Sequence, residues 1–254
     1  MPRFALPWNK LTHSLAAFDR WLLPGECLLC RDAVGSDAGD PLICAPCRSR
    51  WQALPEPQCP RCGQPLVTGI ACRLCAAWPA GLEGIRSAVW LDDSARRAVH
   101  LLKYQGWWRA SEAMALPMRQ CCSKRDKVTL IPIPLGPARL RARGYNQSAV
   151  LARALGALLG APVFEAALQR KRETVTQTAL TPEARAANLA GAFVARVRAP
   201  RHPVLVDDVF TTGATLAEAA AALLAAGAMR VTGVTFARAR RPLAEAATVF
   251  GSSA

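Results

Sequence analysis

Eight of the ten cysteines lie between residues 27 and 75, and all eight stand in C-x-x-C pairs. The order is Cys27-x-x-Cys30, thirteen residues, Cys44-x-x-Cys47, then Cys59-x-x-Cys62, nine residues, Cys72-x-x-Cys75. Two residues between thiols let one tight turn present both sulfurs to one ion, and two such turns complete a tetrahedron. Eight thiolates suit two structural Zn²⁺ ions, most simply Cys27, Cys30, Cys44 and Cys47 on one and Cys59, Cys62, Cys72 and Cys75 on the other. A cross-braced pairing, or one occupied quartet beside a degraded one, stays open at this point. Iron–sulfur and redox readings compete, but turns such as Cys62-Gly63 with Pro65 beyond suit ribbon knuckles better than crowded ferredoxin runs. Closed sites leave no position for water, so no metal chemistry is expected. The segment holds too few apolar side chains for a core of its own, so something other than apolar packing must hold it together, for which structural zinc is the reading.

The chain of 254 residues as a whole has the composition of a folded protein, with 52% hydrophobic residues. Pro7, Lys10, Asp19, Arg20 and Pro24 interrupt the first thirty residues, so no signal peptide is expected. No apolar run is long enough to span a membrane. The chain reads as cytoplasmic, where paired thiols mean metal or redox work rather than disulfides. Cys121 and Cys122 read as buried or partly buried free thiols, and His13, His100 and His202 are too scattered to nominate. The net charge of +14 is uneven: residues 1–80 carry eight Lys/Arg and six Asp/Glu, for +2, and residues 81–254 carry +12. Such an excess suits nucleic acid, a membrane surface or a phosphorylated small molecule; the bland alternative is solubility.

Three regions follow: a short helical segment over 1–23, a double zinc-ribbon module over 24–80 and a larger domain over 81–254. The boundary is placed at Trp78–Gly81. In the larger domain, Ile85–Leu91, Lys127–Ile133, Pro203–Val206 and Val231–Phe236 read as strands. Ser94–Tyr104, Trp108–Met118, Asn146–Leu159 and Ala214–Ala226 read as helices. Strands alternating with helices predict an α/β fold, a mainly parallel sheet with flanking helices.

The sharpest motif is the run Val204–Thr215. An apolar strand delivers Asp207 and Asp208 at its end, and the loop Thr211, Thr212, Gly213 leads into a helix starting at Ala214 and Thr215. Hydroxyls, backbone N–H groups and a helix start can hold a phosphate dianion. The carboxylates suit ribose hydroxyls or Mg²⁺, so the combination asks for a sugar phosphate. P-loop and dinucleotide signatures are missing. The bland alternative is a strand–turn–helix with a capping Thr.

This segment resembles the phosphoribosyl-pyrophosphate signature of type I phosphoribosyltransferases, where the two acids hold the ribose hydroxyls and the loop holds the 5-phosphate. Leu102-Lys103-Tyr104-Gln105-Gly106, Ile131–Pro134 leading to Arg141–Ser148, and Arg170–Thr174 with Gln177, Arg185, Asn188, Gly191 and Phe193 narrow the likeness to the ComF/GntX-like competence family. The cysteine module resembles the double zinc ribbon that precedes that domain. The resemblance runs from Cys27 to Phe236. It implies a type I phosphoribosyltransferase-like domain that binds phosphoribosyl pyrophosphate with Mg²⁺, and a role with single-stranded DNA in competence or DNA uptake, alongside DNA-uptake or recombination proteins.

On chemical grounds, Pro132 and Pro134 end a strand in a constrained backbone fit for a pyrophosphate loop. Arg139, Arg141 and Arg143 offer guanidinium forks, and Lys103 is a second pyrophosphate contact. Asp207, Asp208 and Arg143 are the catalytic candidates. Arg170–Arg172 and the polar residues after them read as a mobile basic arm, with a solvated loop as the alternative. Tyr104, Trp107 and Trp108 beside Lys103 and Arg109 read as core packing, with base stacking as the alternative. Three functional readings follow: a phosphoribosyl-pyrophosphate and single-stranded DNA binder, a true phosphoribosyltransferase for an unidentified nucleobase, and a non-catalytic adaptor that keeps the sugar-phosphate site. Whether transfer occurs stays open.

Overall fold

The computed structural model describes residues 25–34, 42–66, 72–122, 128–171 and 191–240. The expected helical segment over 1–23 and the arm beyond Lys171 lie outside the described residues. By compactness the chain forms two units, Met1–Arg50 and Trp51–Ala254.

In the first unit a short antiparallel bridge joins Glu26 and Ala33. Arg31 turns the chain between them at φ 69°. One helical turn, α1 (Ala45–Ser49), follows, with Cys44 as its N-cap and a proline in its first turn, a placement that costs no hydrogen bond.

The second unit opens on the second ribbon, bridged between Gln58 and Pro65. Its sheet has four strands in the order β1 (Leu82–Trp90), β6 (Val231–Arg238), β5 (Pro203–Phe210) and β2 (Thr129–Pro132). Every pairing is parallel, and Val163 adds a parallel bridge beyond Leu130. Both faces are covered, which is why β5 and β6 read as near-continuous apolar runs.

On one face, Leu205 and Ile85 meet Leu216, Ala219 and Leu223 of α6 (Ala214–Ala225), Trp78, and Phe193 from the antiparallel pair β3 (Leu168–Arg170) and β4 (Phe193–Ala195). Alternate residues Val204 and Val206 turn to the other face. The helices α2 (Asp93–Tyr104), α3 (Ala110–Gln120) and α5 (Gln147–Leu159) belong to a second layer, in which α3 and α5 pack on each other and on the sheet. Asp92 caps α2 by accepting from the Ala95 N–H at 2.9 Å, and Asn146 caps α5. No helix among the described residues is long and apolar enough to cross a membrane.

The α/β fold expected from the sequence is therefore present, with its parallel sheet and cysteine module. The structure departs from expectation at several elements. β5 runs four residues past Val206, because Asp207, Val209 and Phe210 keep their register with Thr235, Ala237 and Arg238 of β6. The arginine run after Pro134 is helical, α4 (Pro137–Arg143). The Trp78–Gly81 stretch is a packed junction. Trp78 is buried on Phe210, and a Cβ at Gly81 would fall 2.5 Å from Leu224 Cδ2. Compactness divides the chain earlier, after Arg50, so the second ribbon shares a unit with the sheet.

Candidate functional site

The two cysteine quartets assemble as the simple pairing: Cys27, Cys30, Cys44 and Cys47 form one cluster, and Cys59, Cys62, Cys72 and Cys75 the other, every sulfur within 4.8 Å of its cluster mates. A tetrahedron with Zn–S of about 2.3 Å has edges of about 3.8 Å. Three of the sulfur pairs stand at such distances: Cys30–Cys44 at 3.7 Å, Cys59–Cys75 at 3.8 Å and Cys62–Cys72 at 3.5 Å. These distances match that edge and are far longer than a disulfide. Backbone N–H groups of Leu29 and Cys44 each donate to Cys27 Sγ at 3.4 Å. Burial works against a charged Cys27, yet these N–H groups outweigh it and bring the thiol down to about 6. Burial and the neighbouring sulfurs push Cys47 and Cys62 strongly up, a crowding that a bound dication relieves. The donor set fits structural zinc.

The second site lies at the carboxyl end of β5. Asp207 is partly buried and Asp208 is 3% exposed. Asp207 Oδ1 accepts from Ser148 Oγ at 2.7 Å and from the Asp208 N–H at 2.9 Å. Lys103 Nζ stands 2.7 Å from Asp208 Oδ2 as an ion pair. Burial raises the Asp207 carboxyl, the Asp208 charge adds to it, and the group rises to about 7 although Ser148 and Lys103 pull the other way. Burial alone would lower Lys103, but the attraction of Asp208 and Asp207 prevails and raises it. The lysine is therefore charged throughout the neutral range.

After Phe210 the chain turns through Thr211, Thr212 and Gly213 into α6. Gly213 sits at φ 81°. A Cβ there would lie 2.4 Å from Trp78 Cζ2 and 2.8 Å from Phe210 Cε2, so only glycine fits. Thr212 Oγ1 accepts from the Ala214 N–H at 3.4 Å. Thr211 is exposed and Thr212, Ala214 and Thr215 are partly exposed, at a helix start whose first N–H groups have no intrahelical acceptor. The loop rests on buried support. Arg238, 1% exposed, has its guanidinium carbon 4.1 Å from the Phe210 ring centre and donates to the Cys62 carbonyl at 2.8 Å and to Gln64 Oε1.

Beside the acids opens a cleft of about 530 Å³ lined by Lys103, Tyr104, Leu135, Arg139, Arg143 and Gln147, among others. Arg139 and Arg143 lie four residues apart on α4 and so share a face. Arg141, about 200° away around the helix, is exposed and does not line the cleft. Arg143 donates to Gln147 Oε1 and lies over the Tyr104 ring. Pro134 starts the loop into α4 without lining the cleft itself. The Ile133 N–H before it donates to the Val206 carbonyl at 3.0 Å, and its own carbonyl accepts from Asn146 Nδ2 at 2.9 Å.

Among the expected residues, then, Lys103, Arg139 and Arg143 gather at one cleft, with Lys103 joining it to Asp208. Thr211–Thr215 follow the acids but are not among the lining residues. Sequence reasoning misses Ser148, Gln147 and Tyr145 as site residues. Tyr145 donates its hydroxyl to the Leu102 carbonyl and so ties α2 to the site. The only sequence signal for Ser148 is its place in the first turn of α5, directly after the Arg-Gly-Tyr-Asn string.

Two further expectations change. Arg170 is 8% exposed, strand-paired with Phe193 and set over that ring; it belongs to the packed hairpin, not to a mobile arm. Tyr104, Trp107 and Trp108 are 69%, 42% and 53% exposed. They are not core residues.

Paired four-cysteine sites ahead of a parallel sheet, whose strand end carries an acid pair beside a cationic cleft, define a zinc-ribbon protein with an α/β domain. The model of the double zinc ribbon domain matches residues 18–76. DNA utilization protein YhgH of Escherichia coli K12 is 32% identical over 220 residues, covering 82% of this chain and 95% of the relative. The Salmonella typhi protein of the same name is 33% identical over 221 residues, covering 82% and 95%. Competence protein ComFC of Bacillus subtilis is 27% identical over 221 residues, covering 79% and 89%. The chain belongs to this family of DNA utilization and competence proteins.

Proposed function

We propose that the chain binds phosphoribosyl pyrophosphate together with Mg²⁺ and serves in the handling of single-stranded DNA during uptake or use of external DNA, on the cytoplasmic side. The observation that carries the sugar-phosphate part is Lys103. It joins Asp208, at the end of β5, to the cleft that Arg139 and Arg143 also line. A sugar phosphate is the ligand that needs both halves: hydroxyls for Asp207 and Asp208, and anionic oxygens for Lys103, Arg139 and Arg143. A bare phosphate would be repelled by the acids. The Thr211–Thr215 turn and the start of α6 supply donors for the 5-phosphate. Mg²⁺ holds its waters tightly and binds through phosphates plus one or two carboxylates, so it enters with the pyrophosphate. The DNA part rests on the names of the relatives and on the +12 balance of residues 81–254.

The test is calorimetric titration of the zinc-replete protein with phosphoribosyl pyrophosphate and Mg²⁺, beside a folded Asp207→Ala/Asp208→Ala variant. Saturable binding that the variant loses is expected. An intact protein giving neither heat nor competition overturns the reading. Pyrophosphate release in the presence of a nucleobase separates transfer from binding.

A further inference from the structure

We infer that the aromatic turn Tyr104–Trp108 is a stacking platform for single-stranded DNA, opening onto the phosphoribosyl cleft. The inference rests on the DNA part of the function proposed above and gives it a surface.

Tryptophan is normally spent on burial, as at Trp51 and Trp78, 8% and 9% exposed. Trp107 and Trp108 are instead adjacent and open to solvent, with Tyr104 three residues before them more open still. The turn that presents them is well defined. Gly106, at φ 74° with nothing within 4 Å of a would-be Cβ, breaks α2. The Trp108 N–H then donates to the Gly106 carbonyl at 2.8 Å, and the Ala110 N–H to the Trp107 carbonyl at 3.0 Å. Tyr104 thus closes α2 and the two tryptophans stand on the short connection to α3, at low entropic cost to a ligand.

The chemistry around the rings decides the partner. The Tyr104 ring has the His100 ring 5.1 Å away, centre to centre, and the Arg143 guanidinium carbon 5.4 Å from its own centre. Arg109 follows Trp108 and makes an exposed pair with Glu112, worth little in water and easily exchanged for a phosphate. Rings interleaved with cations suit a single strand, whose bases offer π-faces and whose backbone offers charge. An apolar protein partner would desolvate these cations without return. Tyr104 and Gly106 also line the cleft that holds Arg139 and Arg143, so a stacked strand reaches the mouth of the sugar-phosphate site.

The experiment follows oligo-dT binding by the zinc-replete full chain, through tryptophan quenching and through anisotropy of a labelled strand, without phosphoribosyl pyrophosphate. Trp107→Ala/Trp108→Ala is expected to weaken binding about tenfold or more, and Trp107→Phe/Trp108→Phe, which keeps two π-faces, to recover most of it. Unchanged zinc content and thermal unfolding show that the variants are folded. Wild-type affinity in the alanine variant overturns the platform while leaving the DNA reading intact. No binding by the wild-type protein overturns both, and leaves the separate calorimetric result on phosphoribosyl pyrophosphate standing. Tenfold tighter binding of oligo-U overturns the assignment to DNA.

Discussion

Lys103, in the last turn of α2, reaches Asp208 at the end of β5, with Nζ 2.7 Å from Oδ2. Asp208 is 3% exposed, so its charge depends on this one cation more than on solvent. Removing one member of such a pair leaves a buried charge without compensation. Lys103→Met is expected to cost about 2–4 kcal/mol in urea unfolding, with the lower end set by the partial exposure of the lysine. The Lys103→Met/Asp208→Asn double variant should cost clearly less than the two single changes added. Additive costs would show that the pair does not act as a unit.

Gly213 and Gly144 form a matched pair of left-handed glycines, both at φ 81°. A Cβ at Gly144 meets nothing within 4 Å, whereas one at Gly213 meets Trp78 and Phe210 at under 3 Å. Gly144→Ala should cost only the backbone strain, about 1 kcal/mol. Gly213→Ala adds overpacking of about 1–3 kcal/mol and shifts the turn that leads into α6. Thermal unfolding of both, with titration of phosphoribosyl pyrophosphate, checks this. Equal effects on stability and affinity would deny that Trp78 holds the turn.

The part of this site readable from sequence is the part written in neighbours. Asp207 and Asp208 stand out because two acids close an apolar strand and a Thr-Gly turn follows at once. The C-x-x-C pairs stand out because two residues between thiols put both sulfurs on one turn, while which pairs share an ion is settled only by the fold. Lys103 can be nominated, but its partner is not readable, since it comes from another layer. Ser148 carries no sign that its hydroxyl bonds Asp207. The helix α4 is hidden because none of its residues is buried, which leaves no apolar period to detect. Strands of three residues, β3 and β4, are too short to show alternation, so Arg170 passes for a loop residue. Arg238 looks like a solvated strand end, yet it is buried, with partners 174 and 176 residues away.

Asp207 gives the site a pH dependence of definite sign. Burial and the Asp208 charge raise its folded pKa to about 7, above the unfolded value near 3.9. The folded state therefore holds a proton that the unfolded state has released between about pH 4 and pH 7. The stability this contributes is complete at low pH and is lost as pH rises through 7. Asp207→Asn, a mimic of the protonated form, should match the wild type below about pH 4, gain on it as pH rises from about 4 to about 7, and exceed it at pH 8 by at least about 1 kcal/mol, roughly 2–4 °C in Tm. A ligand whose hydroxyls are accepted by the ionised acid expels the proton. Affinity for phosphoribosyl pyrophosphate should then rise from pH 6 to pH 8, with proton release seen as a buffer-dependent calorimetric enthalpy. Flat profiles in both measurements would remove Asp207 as the titrating group.

The two cysteine quartets should differ in what their loss does to the proposed sugar-phosphate site. The second quartet belongs to the same compact unit as the sheet. Its Cys62 carbonyl and nearby Gln64 hold Arg238, which lies on Phe210. Trp78, three residues past Cys75, packs on Phe210 and leaves no room for a side chain at Gly213. Metal at this quartet therefore supports the turn Thr211–Gly213 from beneath. Cys59→Ser/Cys62→Ser should lower zinc content from two ions per chain to one, lower the Tm and abolish calorimetric binding of phosphoribosyl pyrophosphate. The first quartet belongs to the other compact unit, so Cys27→Ser/Cys30→Ser should lose the same amount of zinc and keep the binding. Equal loss of binding in both variants would mean that zinc acts through general folding. Retained binding in both would separate the ribbons from the site.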